Sequence, residues 1–176
     1  GWEDMRTGRL SDPYPEITGY VLGFLANAPG ADVAEDPGRL AAAWLSSRVL
    51  GKDLSARPQR TGATVYAFDV AMSGHGLLRH GERFDSDRAV AAGLRCADHL
   101  VDHFGRVGAL TAIDLATAVD AVTPAWSTTG TVHLLKCVQA LLSAHEAGHR
   151  RALEIAERLV RTEVAGWDGT TPPRTC

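Results

Sequence analysis

Little in this sequence points to redox, membrane or nucleic-acid chemistry. Its three cysteines, Cys96, Cys137 and Cys176, are odd in number and far apart. They match neither a metal-ligand spacing nor a disulfide framework, so a reduced, cytoplasmic setting is expected. Positive charge is short: 18 Lys and Arg stand against 21 Asp and Glu, for a net charge of −3. A phosphate backbone needs a basic face, so nucleic acid is not an expected partner. No apolar run reaches the length of a membrane span and no leader peptide is visible, so no membrane association is expected. The Gly-rich phosphate loop, the Gly-x-Ser-x-Gly elbow, the Cys-x-x-Cys pair and an aspartate-rich motif are missing. No spacing calls for a cofactor.

What the sequence does have is helix. At 176 residues, 45% hydrophobic and 22% charged, the chain is long enough for one core and reads as a single domain over 1–176. Residues 1–13 read as an N-terminal loop, from the turn signals Thr7-Gly8 and Ser11-Asp12-Pro13, and 166–176 as a loose tail. Three stretches place polar residues before an apolar helix. The first, Tyr14-Pro15-Glu16-Ile17-Thr18-Gly19-Tyr20, continues with Val21, Phe24 and Leu25, a spacing that predicts a buried helix body. The second runs from Thr64 through Asp69 to Leu78, and the third from Trp126 through His133 to Leu142. Amphipathic stretches follow each, over 36–51, 86–104 and 146–164. Asp36 with Pro37, and Asp85 or Ser86, are their predicted starts; Leu40, Trp44, Leu45 and Leu50 form one predicted apolar face. Residues 105–124 show no clean period. The pattern predicts an all-α chain of three antiparallel helical hairpins.

The chemistry sits at the helix starts, where side chains project out of the packed region. Glu16 and Asp69 are the candidate catalytic pair, because each sits near the start of an apolar helix where burial raises one pKa and so sets an acid beside a base. His133 is the third catalytic candidate, as a base; Lys136, one turn on, suits a uronate or phosphate. Tyr14, Tyr20, Tyr66 and Trp126 offer hydroxyls and stacking faces to a sugar. Each has a plainer reading. Glu16 reads equally as a charge at the helix macrodipole, Asp69 as part of a buried structural network, the tyrosines as core or rim, and Lys136 as a snorkelling cation.

His145-Glu146-Ala147-Gly148-His149 fits the zinc-protease pattern, but Gly148 interrupts the helix and the run falls at an expected turn, so no metal site is assigned. His99 and His103 have the same spacing and are expected on the solvent face of an outer helix.

The Tyr14–Tyr20 run, Tyr66-Ala67-Phe68-Asp69 with Gly76-Leu77-Leu78, Trp126, and Val132-His133-Leu134-Leu135-Lys136 together resemble the α/α-toroid proteins. These include six-hairpin glycosidases, uronyl hydrolases, sugar 2-epimerases and related polysaccharide-processing proteins. The resemblance spans about residues 12–160. It implies inner helices alternating with outer ones and a site in the funnel where the inner helices begin. It also implies a carbohydrate-active or natural-product-modifying enzyme, similar to a glycoside hydrolase, lyase or epimerase, acting on a small molecule or oligosaccharide by acid/base chemistry. The chain holds about half the hairpins of an (α/α)6 toroid. Half a ring leaves two apolar edges, so a homodimer or a partner chain completing the ring is expected. The alternative is a non-catalytic sugar- or protein-binding module; a minor one is a zinc-dependent hydrolase through His145, Glu146 and His149.

Overall fold

Proline loses no hydrogen bond at a helix start, and Pro15 opens α1 (Pro15–Asn27) with Glu16 in its first turn. The computed structural model describes residues 3–4, 6–10, 13–28, 35–52, 54, 64–114, 119–120 and 132–165. Among them the fold is all-α, with α2 (Glu35–Leu50), α3 (Ala67–Arg83), α4 (Asp87–Val107), α5 (Cys137–Glu146) and α6 (Ala152–Val164) after α1. A 3-10 segment, Val132–Lys136, leads directly into α5. No helix among the described residues is long and apolar enough to cross a membrane.

Short strands frame the helices. β1 (Glu3–Asp4) pairs antiparallel with β2 (Arg9–Leu10). β3 (Thr64–Tyr66), β4 (Ala112–Asp114) and β5 (Val119–Asp120) form a small antiparallel sheet in that order, with Val65 opposite Ile113. Thr64, Val65 and Tyr66 favour extended backbone, which is why the run ahead of α3 is a strand rather than the first turn of the helix. Its partner comes from the stretch without a period.

α3 is the central element, buried along almost its whole length from Ala67 to Gly81. α1 meets it through glycines: a Cβ on Gly19 would strike the Met72 carbonyl oxygen, and one on Gly76 would strike that of Gly19. Further along, Gly23 lies beside His75 and Gly76, so α1 and α3 run in the same direction. α4 runs the other way, since Gly74 lies beside Cys96 while Gly81 lies beside Val90 and Ser86. α5 again follows α3, with His75 Nδ1 3.0 Å from Ser143 Oγ and Arg79 3.7 Å from Glu146. The starts of α1, α3 and α5 therefore share one end of the molecule.

That close approach decides which face of α1 is inside. Pro15, Gly19, Leu22 and Gly23 are buried, whereas Ile17, Val21 and Phe24, expected to be buried, are exposed, Phe24 by 71%. Small residues admit the neighbouring backbone, and the bulkier apolar ones are turned outward. α2 shows a similar change of phase: Ala42, Leu45 and Val49 are buried, while Leu40 is 75% exposed. α2 also begins at Glu35, which puts Pro37 at its third residue rather than its first. Ser86 caps α4 as expected, accepting from the Ala89 N–H at 3.4 Å.

The expected solvent-facing histidine pair is also corrected. His103 is fully buried, and its Nε2 accepts from the Thr111 N–H (3.2 Å) and pairs with the Thr111 hydroxyl (2.9 Å). His99 is half-buried and stacks parallel on His103, with ring centroids 6.2 Å apart. Burial, then His103 and Arg106, push its pKa down to about 4. The charged residues of α4 all lie on its exposed face, and His103 continues the buried spacing of Cys96 and Leu100, so its position on the helix rather than the spacing of the pair sets its burial.

Candidate functional site

Tyr14 precedes α1 as its N-cap residue and Asp69 lies in the first turn of α3. Because the two helices run together, 55 positions of sequence separation close to a single hydrogen bond: the Tyr14 hydroxyl donates to Asp69 Oδ2 at 2.7 Å. Asp69 is only 5% exposed. Desolvation pushes its pKa up to about 7, with Glu16 adding repulsion and the Tyr14 hydrogen bond pulling the other way. The Tyr14 hydroxyl is held well above its ordinary range, by burial first and the Asp69 charge second, and so stays a donor.

Glu16, one residue into α1, is half-buried beside this pair. Burial raises its pKa, while the Lys136 ammonium opposes the rise. Lys136 closes the 3-10 segment and places Nζ 5.9 Å from the centroid of the Tyr20 ring, a cation–π contact. Tyr20 lies 6.5 Å from Phe68 between ring centroids, and its hydroxyl pKa is raised by burial and then by Glu16. Tyr66, the last residue of β3, lies near Tyr14.

Six of the predicted residues, Tyr14, Glu16, Tyr20, Tyr66, Asp69 and Lys136, thus meet around the starts of α1 and α3. The backbone of His133 lies in the same 3-10 segment as Lys136. The His133 side chain and the whole of Trp126 lie outside the described residues.

The chain matches no family model, no curated protein and no solved structure. Its chemistry is therefore read from the geometry. A buried carboxyl group titrating near neutrality, a donor fixed against it, and a second carboxyl group facing a lysine form a set that can hold a proton on one oxygen and accept one on another.

Two further features lie away from this cluster. His75, which the sequence reading did not single out, is half-buried on α3, and burial and then Arg79 lower its pKa. Its bond to Ser143 joins α3 to α5; the only signal for it was an imidazole inside the Ser-Gly-His-Gly run of an apolar helix. The His145-Glu146-Ala147-Gly148-His149 run does not form a metal-binding turn of helix. α5 ends at Glu146, Gly148 takes φ +95°, and His149 Nε2 lies 3.0 Å from Asp98 Oδ1. Among the described residues no three His, Cys, Asp or Glu side chains are grouped to hold a metal ion.

Proposed function

We propose that the chain is a carbohydrate-active or natural-product-modifying enzyme working by acid/base chemistry at the starts of α1 and α3. The observation that carries the reading is the buried Asp69 carboxyl group, titrating near 7 and bonded to Tyr14, with Glu16 beside it. Asp69 delivers a proton to the leaving oxygen. Glu16, whose ionised form Lys136 favours against the burial that raises its pKa, activates the attacking group or takes a proton. His133 assists as a base, while Tyr20, Tyr66 and Trp126 supply sugar-facing surfaces and Lys136 draws an acidic sugar.

The test is turnover of a panel of oligosaccharides, uronates and amino sugars by the parent chain and by Asp69→Asn. The variant keeps its helical circular dichroism and loses turnover by about a hundredfold or more, the usual weight of a general acid. Unchanged turnover in Asp69→Asn would remove this site. Saturable sugar binding without turnover in either protein would favour the alternative, a non-catalytic binding module.

The same reading carries an assembly. Same-direction inner helices α1, α3 and α5, each followed by an outer helix, support a likeness to half of an (α/α)6 ring. Both ends of that row are apolar: Ile17, Val21 and Phe24 on α1, and a groove of about 410 Å³ over Val138, Leu142, Leu153 and Val160 at α5 and α6. We place a second copy of the chain, or a partner chain, against these edges, in a cytoplasmic setting where the buried thiols of Cys96 and Cys137 remain reduced.

A further inference from the structure

His80 is not accounted for by the packing around it. It lies near the end of α3, eleven residues beyond Asp69 and so about 16 Å further along the axis. It is 1% exposed, yet among the described residues neither ring nitrogen has a hydrogen-bond partner. One face of the ring meets Phe84, with centroids 4.7 Å apart, and Nε2 lies beside Gly38 of α2. Burial alone lowers its pKa, so the ring is neutral at pH 7 and retains one N–H to give. Buried imidazole nitrogens are rarely left unmet, because each loses its water without replacement.

The ring lines a cavity of about 320 Å³ between α2 and the turn joining α3 to α4. Around it stand Arg39 and Ser46 from α2, and Ser86 and Arg88 from the start of α4. Arg88 donates to Ser47 Oγ at 2.9 Å, which holds its guanidinium across to α2. Ser86 caps a helix of 21 residues, whose first backbone N–H groups and dipole favour an anion there. Asp85 on the rim and Asp87 in the first turn of α4 are the acidic groups that such an anion must avoid. Ala42 and Phe84 give the remaining wall an apolar surface.

We propose that this cavity binds a phosphate monoester of a small molecule, its phosphate held by Arg39, Arg88 and the start of α4. Both His80 nitrogens lie beneath the cavity wall, so the ring turns to donate its N–H to a phosphate oxygen as the ligand enters, and the organic part lies on Ala42 and Phe84. A cavity of this size is larger than the anion alone requires and falls within the range of small-ligand sites. The site is separate from the one around Asp69 and does not rest on that reading.

Calorimetry of the full chain with inorganic phosphate, glucose 6-phosphate and glucose, alongside NMR of its histidine side chains, tests this. Glucose 6-phosphate is expected to bind saturably, more tightly than phosphate, and to shift the His80 ring signals, while glucose leaves those signals unmoved. Arg88→Gln, at an exposed position, weakens binding about tenfold, as loss of one charge-assisted bond does; Asp69→Asn leaves it unchanged. Absence of a His80 shift overturns the proposal. So does equal affinity in the parent, Arg39→Gln and Arg88→Gln chains, which would mean an adventitious ion only. Inorganic phosphate binding as tightly as glucose 6-phosphate overturns the monoester assignment.

Discussion

Asp69 shows how far one side chain's surroundings can be read from sequence. A carboxylate within Ala-Phe-Asp-Val-Ala signals a buried acid, and the acid is buried; its partner Tyr14 lies 55 positions away and became visible only once α1 lay against α3. Folding raises the Asp69 pKa from 3.8 to about 7, so over that window the folded chain holds a proton that the unfolded chain releases. This contribution to stability is complete below pH about 4 and is lost as pH rises towards 7, by up to about 1.4 kcal/mol per unit. Asp69→Asn is expected to remove the slope, checked by urea melts across that range. Tyr14→Phe removes the bond that favours the ionised form, so the Asp69 pKa climbs further. In an activity profile the alkaline limb, expected near pH 7 for the parent, moves upward in Tyr14→Phe.

For the helices, starts were more legible than faces. Pro15 and Ser86 mark helix starts through local chemistry, which neighbouring elements do not change. The inward face of α1 was misread because apolar spacing ranks Ile17 and Phe24 above glycine, whereas α3 lies too close for anything larger. β3 and β4 stayed hidden for a related reason: three-residue strands are specified by their partner rather than by their own period. The glycine contacts make opposite predictions for two similar substitutions. Gly19→Ala drives a methyl group into the Met72 backbone and is expected to destabilise by about 1–3 kcal/mol while separating Tyr14 from Asp69. Gly23→Ala makes ordinary contacts, with the His75 side chain at 3.6 Å and the Gly76 backbone at 4.0 Å, and is expected to be neutral or to stabilise by up to about 1 kcal/mol, through helix propensity. Thermal or urea unfolding of the two variants separates the cases.

Across the whole molecule, the two apolar edges predict association. Light scattering is expected to give a dimer, and Phe24→Asp, at a position exposed in the single chain, to return it to monomer without loss of helix; a monomeric parent chain would count against the ring. The all-α fold was legible because hydrophobic periodicity needs no partner, whereas the assembly depends on surfaces whose occupant the sequence does not name. Gly19 and Gly76 bear on how such a molecule changes over generations. Tyr20 and Lys136 stand at the rim of the proposed site and can be exchanged one codon at a time, so a ligand preference there would be free to drift. The two glycines face each other backbone to backbone, and no single step away from either leaves the neighbouring helix in place. On the proposed reading, descent alters what such a site would recognise far more readily than the helix spacing beneath it.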